Sequence, residues 1–192
     1  MGELLRIPAR GDGFALAAEL FFPSSPPKAA VLVAGAMGVK ASFYAPLAEY
    51  MSRRGAAALT VDYRGIGGSR PRRSLRHFHA TFHDWGERDL AGALEWLAWR
   101  VPEAPLLWVG HSAGAQLMGL VPDPAIGAAL FVAAGTAYWK GYPMTNMHRR
   151  LRPRIYCRCT SARARSSAPS GRRESRSDTL AFFAGPTSGR SR

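Results

Sequence analysis

Four short, continuous apolar runs set the pattern of this chain: Ala29 to Val33, Ala56 to Val61, Leu106 to Val109 and Ala128 to Ala133. Runs of that length are what strands buried on both faces require. Helical segments separate them. Ser42 caps and Gly55 ends a predicted helix from Phe43 to Arg54. A second helix, Asp84 to Arg100, places Leu90, Leu94 and Leu97 on one face and is closed by Pro102 and Pro105. A third, short one runs from Ser112 to Leu120. Ahead of all these, extended stretches Leu4 to Pro8 and Phe14 to Phe22 flank the Gly11-Asp12-Gly13 turn and predict a hairpin, after which Ser24-Ser25-Pro26-Pro27 breaks the chain. Strand and helix in alternation call for right-handed crossovers onto one mostly parallel sheet, a three-layer α/β/α architecture with reactive groups beyond the strands' carboxyl ends. Ser112, Asp62 and the Gly35 loop all fall at such ends.

From about Leu151 the rhythm stops. Residues 151–192 hold 10 Arg and 8 Ser, and their one apolar cluster is Leu180 to Phe183. Such a segment cannot bury enough apolar surface to offset its chain entropy, so residues 1–150 are expected to form the folded domain and 151–192 a disordered tail. The tail also carries most of the net charge of +13. Clustered arginines attract phosphates, but these lack interleaved stacking aromatics, so a nucleic-acid partner is not expected. Met1 to Phe14 offers no apolar leader segment and no run of apolar residues is long enough to span a bilayer, so the expectation is a cytoplasmic protein without a membrane partner. Cys157 and Cys159, the only two cysteines, lack the second pair a zinc site needs and are read as incidental thiols. No metal and no cofactor are expected. Gly65-Ile66-Gly67-Gly68 matches neither a P-loop nor a dinucleotide fingerprint.

The chemistry centres on Gly110-His111-Ser112-Ala113-Gly114. A bare G-x-S-x-G is weak, but here it follows a buried strand and opens a helix. A serine there sits on a sharp, strained turn that lifts its hydroxyl off the sheet, and Gly110 and Gly114 are what let strand and helix pass that closely. Three segments, Val31 to Gly38, Val61 to Ser69 and Gly110 to Gly114, together resemble the landmarks of the α/β-hydrolase superfamily. Most similar are bacterial predicted hydrolases near the serine aminopeptidase and monoacylglycerol-lipase-like branch, which carry a similar Ala-Met-Gly loop and a Tyr-Trp after the sixth strand, here Tyr138-Trp139.

The resemblance, which covers about residues 3–142, implies a sequence of roles. Ser112 would be the nucleophile that forms an acyl-enzyme from a carboxylic ester or small amide. The backbone N–H of Ala113 and one from the loop after the first buried strand, Ala36 or Met37, would be oxyanion donors. Apart from the resemblance, Tyr138, Trp139 and Tyr142 are read as lining a substrate pocket because they follow a strand end. The superfamily's acid and histidine follow later strands; here only Asp178 and His148 are on offer, without strands before them. The expectation is therefore a truncated or frame-shifted version of a longer hydrolase, with impaired turnover. His77, His79 and His83 are read as surface or loop-packing residues, and His111 as turned away from the attacking oxygen. Asp62 is expected to hydrogen-bond loop backbone, and Trp85, Trp96, Trp99 and Trp108 to pack in the core and on helices. The alternative is a non-catalytic, hydrolase-derived binding fragment whose basic tail contacts nucleic acid.

Overall fold

Successive residues of a strand face opposite sides of its sheet, and that alternation divides the core in two. The computed structural model describes residues 2–71, 78–122, 125–135 and 182–184. Over these, strands β1 (Glu3–Pro8), β2 (Ala15–Phe21), β3 (Ala29–Ala34), β4 (Ala56–Val61), β5 (Leu106–His111), β6 (Ala128–Val132) and β7 (Phe182–Ala184) form one sheet of order β1-β2-β4-β3-β5-β6-β7. The central block β4-β3-β5-β6 is parallel; β1, β2 and β7 add antiparallel flanks. Ala30, Leu32, Ala34, Leu59, Val61 and Trp108 lie in one core cluster, and the intervening Val31, Val33, Ala58 and Val109 lie in the other.

Helices cover both faces. The first cluster takes Leu90, Leu94 and Leu97 from the segment ending in α2 (Ala91–Arg100) and Leu117 from α3 (Ala113–Leu117). The second takes Tyr44 and Ala48, on and just before α1 (Ala45–Arg53). Gly55, at φ 93, ends α1 as predicted, in a backbone conformation that favours glycine.

Several details differ from the sequence reading. Ser42 does not cap a helix: it lies inside a 3-10 turn, Ala41–Tyr44, and α1 starts after it with a proline in its first turn, where the missing N–H costs nothing. The predicted helix 84–100 is π-helical over Asp84–Leu90 and becomes α only from Ala91. Part of the tail expected to be disordered forms a strand: Phe182–Ala184, from its one apolar cluster, pairs antiparallel with β6. The remainder of the tail, with Cys157, Cys159 and Asp178, and His148 before it lie outside the described residues.

Candidate active site

Among the described residues two non-glycine residues have positive φ, and both follow strands at the sheet's carboxyl end: Ala133, at φ 50 after β6, and Ser112, in the turn from β5 into α3. Ser112 has φ 51 and ψ −110, a conformation that costs a non-glycine residue on the order of 1–3 kcal/mol and persists only where neighbours enforce it. They do so here: Ser112 N–H donates to the Val132 carbonyl at 2.9 Å, and its own carbonyl accepts from Ala115 N–H at 3.1 Å. A Cβ on Gly110 would stand 2.7 Å from the Ala115 backbone, and one on Gly114 would run into the Ala34 carbonyl oxygen. Trp108, buried beneath, donates its indole N–H to the Gly114 carbonyl at 3.1 Å. Two glycines and one indole therefore seat α3 against β3 and β5, with Ser112 half-buried at the bend.

Beside this bend, the loop after β3 is held by two tyrosines. Tyr63 O–H donates to the Gly35 carbonyl, and Ala36 N–H donates to the Tyr44 hydroxyl, both at 2.7 Å. Gly35 C=O and Ala36 N–H belong to a single peptide unit, so one amide plane is gripped at both ends. The grips come from opposite faces of the sheet, Tyr63 from the first core cluster and Tyr44 from the second. The Tyr44 hydroxyl also lies 2.9 Å from His111 Nδ1, a hydrogen bond whose direction depends on the imidazole tautomer. Burial raises the pKa of both phenols, keeping them neutral. Gly35 has no room for a side chain, since its Cβ would stand 2.7 Å from the Tyr44 ring.

Asp62, at the end of β4, accepts from Ala41 N–H and Gly68 N–H, both at 2.7 Å. It hydrogen-bonds loop backbone, as its position implied. Next to it, Arg64 bridges Asp89 and Asp12, with 2.7 Å contacts to each. The guanidinium pulls the Asp12 carboxyl down to about 2. Asp89 is fully buried, and that burial pushes its carboxyl up to about 6 against the pull of Arg64. The π-helical stretch is what brings Asp89 to Arg64 and stacks Trp85 on Tyr63, ring centroids 5.2 Å apart.

Of the residues singled out in the sequence, Ser112, Ala113, Ala36, Met37, Gly110, His111 and Gly114 converge where β3 and β5 end. One is placed otherwise than expected: Ala36 N–H, expected to be free for an oxyanion, already donates to Tyr44, whose hydroxyl also meets His111. His79 and His83 are exposed, His83 beside Glu87 at 3.1 Å. Trp108 and Trp85 pack internally, but Trp99 is 74% exposed and does not join the core. His77, Tyr138, Trp139 and Tyr142 lie outside the described residues. Tyr44 and Tyr63 were not anticipated. Among the described residues there is no group of three or more side chains able to hold a metal ion, and no helix long and apolar enough to cross a membrane.

A parallel-centred sheet with helices on both faces and a serine at a positive-φ bend between strand and helix defines an α/β hydrolase. The family described as serine aminopeptidase, S33, matches residues 25–187, and the chain belongs to it. Solved structures similar in fold include a carboxyl esterase from Bacillus coagulans (TM-score 0.56, 15% identity, 67% of this chain and 43% of that one). The α/β hydrolase GrgF from Penicillium sp. sh18 gives a TM-score of 0.57 at 21% identity over 70% of this chain and 46% of its own. Thermogutta terrifontis esterase 2, phosphonylated by sarin, gives 0.57 at 19% over 80% and 63%. The chain thus spans less than half the length of the first two of these structures, 43% and 46%. No curated protein matches.

Proposed function

We propose that the chain is a serine hydrolase acting on a carboxylic ester or small amide of a small molecule, with Ser112 as nucleophile. Oγ attacks the acyl carbon, the leaving group departs from the tetrahedral intermediate, and water cleaves the acyl-enzyme. Ala113 N–H, directly after the nucleophile, donates to the developing oxyanion, and the loop at Gly35–Gly38 supplies the second donor. The single observation carrying this reading is the φ of 51 at Ser112: strain of that kind at one serine, enforced by two sterically required glycines, has a use when the hydroxyl must be presented. Membership of a hydrolase family favours this over a binding fragment.

Turnover is expected to be weak. No hydrogen bond joins Ser112 Oγ to a carboxylate or imidazole among the described residues, and loss of the general base costs on the order of 10⁴ to 10⁶ in rate. A fluorophosphonate probe is the direct test, because it reports attack without requiring deacylation; the Thermogutta esterase is phosphonylated by a related reagent. Labelling that disappears in Ser112→Ala supports the proposal, with p-nitrophenyl ester hydrolysis measured alongside. An unlabelled wild type refutes it.

A further inference from the structure

We infer that Trp108 is a positioning residue for the nucleophile: its indole N–H holds the first turn of α3 down on β5 and so keeps the bend at Ser112 closed. The inference rests on Ser112 being the nucleophile. α3 has five residues, too few to hold a helix in water by themselves. Its N-cap position is Ser112 itself, whose side chain makes no capping hydrogen bond. A short 3-10 turn, Met118–Leu120, follows directly. The two glycines only permit closeness. Gly110 and Gly114 set how near α3 comes to the strands, since a methyl at either would strike backbone, but neither pulls the helix in.

The pull comes from the strand. Trp108 is 1% exposed, and a buried indole N–H needs an acceptor. It finds one in the Gly114 carbonyl at 3.1 Å. That bond joins residues six apart in the chain and closes a loop with Ser112 inside it, so the backbone between them has less freedom to unbend. Trp108 cannot follow the helix outward, because it stands in register with Leu32 on β3 and Ala129 on β6, in the middle of the parallel block. The glycine contacts thus fix the shortest separation of α3 and β5, and the indole fixes the longest. Between these limits Ser112 is kept at φ 51, a conformation it would leave if α3 lifted. A phenylalanine at 108 would fill the core but has no donor. The brace also has a thermodynamic signature: replacing Ser112 by glycine relieves strain only while the indole imposes it.

The test combines the second-order rate at which the full chain is labelled by an alkyl fluorophosphonate, followed by intact mass, with melting temperatures. In labelling, the Oγ–P bond forms, the P–F bond breaks and the serine proton leaves with fluoride. Trp108→Phe is expected to label roughly 10- to 100-fold more slowly, the loss that a displacement of up to about 1 Å brings. Benzothienylalanine installed at position 108, the same shape with sulfur in place of the N–H, should slow labelling likewise, and it keeps the test open should Trp108→Phe not fold. Leu97→Ala, buried in the same core cluster but on α2, should melt lower and still label at the wild-type rate. In the melting arm, the few degrees gained by Ser112→Gly in the wild type should largely vanish in the Trp108→Phe background, a coupling that separate structural roles would not produce. Wild-type labelling rates in the position-108 variants would overturn the inference, as would an undiminished gain from Ser112→Gly in Trp108→Phe. So would Leu97→Ala labelling as slowly as Trp108→Phe, the rate then following stability alone. These failures leave Ser112-dependent labelling intact. An unlabelled wild type, or label that survives in Ser112→Ala, instead removes the nucleophile and with it this role for Trp108, whatever the melting comparison gives.

Discussion

Gly114→Ala isolates the close approach of α3 to β3. In an ordinary helix the change would stabilise, since alanine is favoured over glycine by about 1 kcal/mol. Here the new methyl meets the Ala34 carbonyl oxygen and stands 2.9 Å from that of Gly35. Both are backbone atoms at the end of a central strand, and neither can rotate aside as a side chain could. Overpacking typically costs 1–3 kcal/mol, and immobile neighbours place this case at about 3. The net destabilisation is then roughly 2 kcal/mol, or about 4–8 °C in melting temperature for a chain of this size. Because α3 can relieve the overlap only by moving outward, the Ala113 amide moves with it and probe labelling of Ser112 slows. Gly119→Ala is the control: nothing lies within 4 Å of its added methyl, so it should melt at or slightly above wild type. Differential scanning fluorimetry on both variants decides the matter. If Gly114→Ala melts like Gly119→Ala, the contact between α3 and the Ala34–Gly35 backbone is not as described.

Ser112→Gly should relieve the strain of a side chain at φ 51, raising the melting temperature by a few degrees (~1 kcal/mol) while abolishing labelling; a lower melting temperature would contradict stored strain. Tyr63→Phe leaves the buried Gly35 carbonyl without its 2.7 Å donor and should destabilise by about 1–3 kcal/mol in urea titration, an unchanged midpoint refuting the two-sided grip. Stability should also depend on pH. Asp12, lowered from 3.8 to about 2, contributes stability present above about 3.8 and lost as pH falls toward 2, on the order of 1 kcal/mol after solvent screening. Asp89, raised to about 6, acts in the opposite sense: its contribution is complete below 3.8 and lost as pH rises through 6. Melting temperature should therefore peak between these limits, and Asp12→Asn should flatten the acid side; an unaltered acid limb would count against the Arg64 pairing.

The sheet was legible because its strands are short apolar runs punctuated by glycine and proline, and the bend at Ser112 was legible because its requirement is steric and confined to five residues. Asp62 was legible because it stands at a strand end in a segment that resembles the superfamily's, although one of the two amides it accepts from, Ala41 N–H, is 21 residues away. Tyr44 could not. It is eight residues from Ala36 and 67 from His111, and within its own segment it reads as one more helix residue packing inward. The spacing of Leu90, Leu94 and Leu97 fits the α-helical part and conceals the wider turns before it. Trp99 carries the same apolar signal as Trp96 three residues earlier, yet ends up facing solvent, because the helix face and not the residue type decides burial.

The widened turns of Asp84–Leu90 make that stretch sensitive to length as well as to composition. Losing one residue there would let the backbone fall into the commoner, tighter winding, and the angle between the Trp85 and Asp89 side chains about the axis would change. Such a shortened chain would gain a more regular helix and lose its alignment of Trp85 and Asp89 with Tyr63 and Arg64. Counting residues across that interval in related chains, or deleting Glu87 alone, would show whether nature has kept the surplus residue for the sake of that alignment.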